Sequence, residues 1–170
     1  MARTIKPQPL TSERFAPFGD VIEAGPATEQ RTINEGFTTR FHDLARLEVT
    51  AAGGHPGLSI FRSTPRAQPI TLTMMERHQR SSQAFVPLGH APYIVAVAPP
   101  GELDPGAISV FIAGPDQGVN YSAGTWHHYS LALGATSDFL VVDRISEEED
   151  CDEVILADAD QIMLDLADIL

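Results

Sequence analysis

Hydrophobic positions along this chain come in short bursts separated by turn residues, and seven of the bursts read as strands, over residues 40–41, 58–61, 83–86, 93–98, 107–113, 126–133 and 139–143. Pro99-Pro100-Gly101, Asp104-Pro105-Gly106 and Gly114-Pro115-Asp116-Gln117-Gly118 are the clearest punctuation. Proline presets the φ of a turn and glycine supplies the conformations other residues avoid. Intervals of about 8–15 residues between such turns suit a sandwich or barrel. No helical segments alternate with the strands, which argues against a doubly wound sheet.

One short helix is predicted at Thr11-Ser12-Glu13-Arg14-Phe15, where a hydroxyl precedes an acid. A second is predicted in the tail. There Ile162, Met163, Leu166, Ile169 and Leu170 fall on one helical stripe behind Asp158 and Asp160. The expected organisation is a single all-β domain over 1–157 and an acidic amphipathic helix over 158–170, packed on that domain or on a partner subunit.

Composition narrows the classes. The 170 residues are 43% apolar and 20% charged, which are globular values. The longest strongly apolar run, residues 93–98, is far short of the roughly 20 residues a membrane helix needs. The net charge is −12, but 10 of the 23 acids lie beyond residue 144 and all 11 basic residues lie at or before it. A near-neutral body with an acidic tail argues against nucleic acid and against anionic lipid, both of which require a basic patch. A small-molecule substrate is the expected partner.

The single cysteine cannot form an intramolecular disulfide, and the first residues, Met1-Ala2-Arg3-Thr4-Ile5-Lys6-Pro7, have no apolar core of a secretory signal. The expected location is cytoplasmic. Lys6 is the only lysine and stands beside Pro7, which argues against Schiff-base chemistry. Cys151 lies among Asp150, Asp152 and Glu153, neighbours that disfavour a thiolate nucleophile.

Chemistry near neutral pH directs attention to the six histidines. His55 and His90 sit in Gly/Pro-rich turns, whereas His42, His78, His127 and His128 lie among polar and aromatic residues on or next to strands. In Glu76-Arg77-His78, strand alternation turns Glu76 and His78 to one face, and Gln83 follows five residues later. In Ser122-Ala123-Gly124-Thr125-Trp126-His127-His128, alternation turns His127 one way and Trp126 and His128 the other. The two segments resemble the two metal-binding motifs of cupins, with Glu76 in place of the first His, Gln83 in place of the Glu and Ser122 in place of the Pro. The fold expected from them is a cupin-like, jelly-roll type β-barrel with a polar pocket.

Glu76, His78 and His127 form a workable ligand set for a divalent ion, if one is bound, and without metal they form an acid/base cluster. Arg62 closes an apolar strand, and Arg40 shares a strand face with His42. Either could present a planar fork to a substrate carboxylate. Asp143 follows a buried run and precedes Arg144, so it reads either as a salt-bridge residue or as the group that orients a histidine.

Taken in order, Phe18-Gly19-Asp20-Val21-Ile22-Glu23, Arg62, Glu76-Arg77-His78, Gln83-Ala84-Phe85-Val86-Pro87, Gln117-Gly118-Val119-Asn120-Tyr121, Trp126-His127-His128 and Asp143-Arg144 resemble the bacterial ureidoglycolate lyase family of allantoin breakdown. The resemblance implies a cupin-type barrel, a homodimer, and conversion of (S)-ureidoglycolate to glyoxylate and urea, with nickel or another divalent ion as a cofactor to test. It implies His127, His78 and Glu76 as acid/base residues, and Arg62, Arg40, Gln83 and Asn120 as substrate contacts. Two other classes stay open from the residues alone. One is a metal-dependent cupin isomerase or dioxygenase acting on a small acid; the other is a non-catalytic module that binds a small carboxylate.

Overall fold

A computed structural model of the protein describes residues 3–167 and 169. Strands dominate, as expected. One sheet runs in the order Gly19–Ile22, Gly118–Tyr121, Gln83–Pro87, Ser137–Ile145 and His55–Ser63. A larger sheet runs Asp152–Ile155, Met74–Arg77, Trp126–His127, Tyr93–Ala98, Ser109–Ala113 and Gln8–Pro9, with Leu131–Ala132 also paired to Tyr93–Ala98. A small third sheet joins Arg3–Ile5, Ile162–Leu164 and Thr71–Leu72, and Gln30–Ile33 pairs with Thr38–Phe41 in an exposed hairpin. Ser12–Phe15 is helical, with the Thr11 hydroxyl accepting from the Arg14 N–H. No helix of the described residues is long and apolar enough to cross a membrane.

The strand Tyr93–Ala98 is buried on both faces, and its alternation explains how the layers stack. Ile94, Ala96 and Ala98 join Met75, Trp126, Leu72, Ile162 and Leu164 in a core between the larger sheet and the small one. Tyr93, Val95 and Val97 join Phe85, Val119, Tyr121, Phe139 and Val141 in a second core between the two main sheets. Phe85 is the hub of that second core, with its ring edge-on to Phe61 at 5.6 Å and to Phe139 at 6.2 Å. These stacked sheets are consistent with an all-β, cupin-like fold.

The tail departs from expectation. Ile162–Leu164 is a strand, parallel to Arg3–Ile5 and antiparallel to Thr71–Leu72. Ile162, Leu164 and Leu166 are buried and Met163 and Asp165 are not, so period two governs the segment instead of the helical stripe. The apolar strand edges of the small sheet offered hydrogen bonds and a covered face that an isolated short helix lacks. Leu170, the last residue of the expected stripe, lies outside the described residues. The acidic tail also contains a strand, Asp152–Ile155, which pairs antiparallel with Met74–Arg77, and Arg77 and Asp152 form an ion pair at 2.9 Å across the two. The expected strand over 126–133 is broken into Trp126–His127 and Leu131–Ala132, and Ser109–Ala113 starts after a 3-10 turn at Pro105–Ala107.

Candidate active site

Three neighbouring strands place the centre. Glu153, Glu76 and His127 stand in register across Asp152–Ile155, Met74–Arg77 and Trp126–His127, and His127 is in turn opposite Val97. Directly paired residues share a face, so Glu76 and His127 point with Val97 into the space between the two main sheets. Trp126 joins the opposite core, and Arg77 lies over its ring, 4.3 Å from the centroid.

Ligand atoms of Glu76, His78 and His127 all lie within 4.8 Å of one another. The His78 and His127 rings are 5.5 Å apart. His78 Nδ1 contacts the main-chain carbonyl of Asp150. A carbonyl only accepts, so Nδ1 carries a proton, and in the neutral ring the lone pair is on Nε2. That Nε2 is buried with no hydrogen-bond partner, as are both ring nitrogens of His127. Asp150 also braces the loop through its carboxylate, which accepts from the N–H groups of Gln79 and Arg80 and from the Ser81 hydroxyl.

Burial dominates the electrostatics. His127 is 1% exposed, and burial, helped by the neighbouring His78, pulls its pKa down to about 3. Its Nδ1 lies 3.6 Å from Glu76 Oε1, but a neutral ring at that distance forms neither an ion pair nor a hydrogen bond. Burial pushes the Glu76 carboxyl above its ordinary value; Glu153 adds to the effect and His78 opposes it. Cys151 is pushed up to about 11 by burial and then by Glu76, Glu153, Glu149 and Asp152, in keeping with a thiol that is no nucleophile. His128 is pulled down to about 4, chiefly by burial.

Two imidazoles with orphaned nitrogens beside a carboxylate fit a borderline divalent ion such as nickel, and the trio can hold one. Glu76, Cys151 and Glu153 form a second such group that shares Glu76.

Gln83 is buried opposite Tyr121, on the inner face with Phe85. Asn120 stands opposite Asp20 on the reverse face, its amide donating to Asp20 Oδ2 and to the Arg46 carbonyl. Arg62 is 72% exposed and held by Asp138 through two contacts of 2.8 Å, on the face opposite Phe61 and Phe139. Arg40 is exposed on the hairpin, across from Arg31. The structure therefore brings Glu76, His78 and His127 together, with Gln83 on the facing sheet, and leaves Arg62, Arg40 and Asn120 turned elsewhere. Four contributors were not singled out from the sequence: the Tyr121 ring stacked on His127, the Asp150 carbonyl, Glu153, and Arg144, which shares a cavity of about 220 Å³ with His78, Ser81, Asp143 and Cys151. Their signal lies in strand pairing, which no local motif encodes.

Residues 2–163 match the family described as ureidoglycolate lyase. A ureidoglycolate lyase of Burkholderia mallei (strain NCTC 10229) is 54% identical over 142 residues, 84% of this chain and 83% of that protein. One from Brucella melitensis biotype 2 (strain ATCC 23457) is 48% identical over 155 residues, 91% of each chain. Among solved structures, a dTDP sugar isomerase from Desulfovibrio desulfuricans G20 superposes with a TM-score of 0.47 at 14% identity, covering 81% of this chain and 85% of that one. With a family match over nearly its whole length and relatives about half identical to it, this chain belongs to the ureidoglycolate lyase family.

Proposed function

We propose that the protein eliminates urea from (S)-ureidoglycolate, leaving glyoxylate. The observation that carries this reading is the convergence of Glu76, His78 and His127, with unpartnered proton-accepting nitrogens, in a member of that family. The substrate carbon bears a hydroxyl, a carboxylate and a ureido nitrogen. In the proposed reaction the hydroxyl proton passes to an imidazole, the O–H electron pair becomes the carbonyl, and the carbon–nitrogen pair leaves on urea, which takes a proton. No water is consumed and no covalent enzyme intermediate forms.

His78 is suited to accept the hydroxyl proton, because the Asp150 carbonyl leaves its Nε2 lone pair free. His127, which burial holds in the neutral form, offers a second unpartnered ring nitrogen that can hydrogen-bond the substrate hydroxyl. Glu76, whose carboxyl burial pushes above its ordinary value, is the group placed to hand a proton to the departing nitrogen. A divalent ion held by Glu76, His78 and His127 would supply Lewis acidity toward the substrate oxygens. Gln83 meets the ureido group, and Asn120 acts at one remove by fixing Asp20 and the main chain at Arg46. An arginine takes the carboxylate. Arg62 and Arg40 keep that role only if a partner surface turns them toward the centre.

The protein is proposed to act as a cytoplasmic homodimer, a second copy covering the exposed Leu58 and Ile60 of the outer sheet face and Phe37 of the hairpin. Light scattering on the purified protein tests this.

Racemic ureidoglycolate, assayed with and without added nickel, should give glyoxylate and urea in equal amounts with half the substrate remaining. Release of ammonia in place of urea would mean a hydrolase. Tight glyoxylate binding without turnover would mean a binding module, and turnover of a different small acid by an iron- or manganese-loaded protein would mean an isomerase or dioxygenase.

A further inference from the structure

Two buried acceptors remain on the sheet that faces the histidines. Gln83 is 6% exposed and its Oε1 accepts no hydrogen bond from the protein; Oδ1 of Asp143 is buried and equally unengaged. Val142 stands opposite Ala84, so continuing that register sets Asp143 beside Gln83. Asp143 alternates with the fully buried Val141 and Phe139, and therefore points into the same space. Gln83 stands beside Tyr121, and Tyr121 lies on His127. One row of the sheet thus reads Asp143, Gln83, Tyr121 and leads to the centre. Asp143 also lines the cavity that contains His78.

Asp143 has room because its partner is Gly57. A Cβ at that position would stand 3.1 Å from Asp143 Oδ1 and 2.4 Å from Ile145 Cγ1. The neighbouring Arg144 does not neutralise it: the guanidinium donates to the carbonyls of Ala51 and Ala52 and to the Ser146 hydroxyl. A buried carboxylate oxygen and a buried amide oxygen without donors are costly to the protein alone, and together they define what they bind, a group rich in N–H.

We infer that Asp143, with Gln83 beside it, forms the subsite for the ureido nitrogens, and that this pair of acceptors selects a carbamoyl-bearing substrate over a dicarboxylic or ester analogue. This rests on the reaction proposed above. Of the substrate's substituents, the ureido group alone brings several N–H donors, and the Asp143 charge turns the substrate carboxylate away. Asp143 thereby orients the molecule with its hydroxyl toward the histidines and sets specificity without moving a proton.

The test compares wild type with Asp143→Asn, using ureidoglycolate as substrate and urea and glyoxylate separately as inhibitors. The variant should lose roughly 10- to 100-fold in kcat/KM, the usual worth of a hydrogen bond to a charged group. Inhibition by urea should weaken by a similar factor while inhibition by glyoxylate stays as in wild type. Unchanged urea inhibition, or equal weakening toward both products, overturns the inference. If the variant does not fold, wild type alone decides: a substrate dimethylated on its terminal nitrogen should be turned over at least 10-fold less efficiently, and parity sinks the subsite. Failure of wild type to turn over ureidoglycolate at all would instead remove the underlying reaction.

Discussion

Tyr121 lies flat on His127, the ring centroids 4.3 Å apart and the planes 8° from parallel. The two residues come from different sheets, so the contact fixes the plane of the imidazole from across the core. Tyr121 is itself wedged between Phe15 and Phe85, at 6.2 and 5.9 Å. The orientation of His127 is therefore inherited from the packing of the aromatic core.

Replacing Tyr121 separates packing from chemistry. Tyr121→Phe keeps the stack and should retain most activity. Tyr121→Leu should cost roughly 1–3 kcal/mol of stability, as is usual for large core substitutions, and lower kcat more than it raises KM. Urea denaturation and steady-state kinetics on the two variants check this.

For Glu76→Gln and His78→Ala, turnover should fall roughly 10²- to 10⁴-fold, the span for a positioned acid or base, with native circular dichroism. Normal folding with full turnover would remove both residues from the mechanism. Calorimetric titration with nickel should give one site in wild type, lost in His78→Ala and retained in Arg62→Ala.

The depressed pKa of His127 sets a pH dependence of stability. Its folded value is about 3 against an ordinary 6.5, so the unfolded chain takes up a proton first as pH falls. The contribution is whole above 6.5 and is lost progressively between 6.5 and about 3. Measured with chelator present, wild type should lose about 1.4 kcal/mol per pH unit more than His127→Gln through that window. Parallel curves would show that the ring is charged in the folded protein.

A strand and a helix make opposite forecasts for the tail. Ile162→Ala, at a site with no exposure, should cost about 2–4 kcal/mol. Met163→Ala, 36% exposed on the other face, should cost far less. Equal penalties would restore the helical stripe.

Cys151 should resist alkylation. With its pKa near 11, the thiolate fraction at pH 7.5 is small, and the iodoacetamide rate should keep rising up to pH 10. A plateau below pH 9 would contradict the acidic surroundings described above.

Much of this was legible from the residues. Alternation in Glu76-Arg77-His78 and the segment ending in His127-His128 identified the three groups that converge, because strand periodicity reports facing directly. Direction across sheets was not legible: nothing local says that Asn120 faces Asp20 while Gln83 faces inward. The tail is ambiguous by period because Ile162 and Leu166 satisfy both periods, and only the partners Arg3–Ile5 and Thr71–Leu72 decide between them. Asp143 kept two readings because the partners of Arg144, the carbonyls of Ala51 and Ala52, lie about ninety residues away.

His78 is gripped by main chain, since the group opposite its Nδ1 is the carbonyl of Asp150. Every amino acid offers that same oxygen. Exchange of the side chain at 150 would loosen the brace on Gln79, Arg80 and Ser81 yet leave the ring's proton where it is. Lengthening or shortening the loop that delivers the carbonyl would carry the oxygen out of reach. The tautomer thus depends on how many residues separate Ile145 from Asp152 more than on which side chain stands at 150.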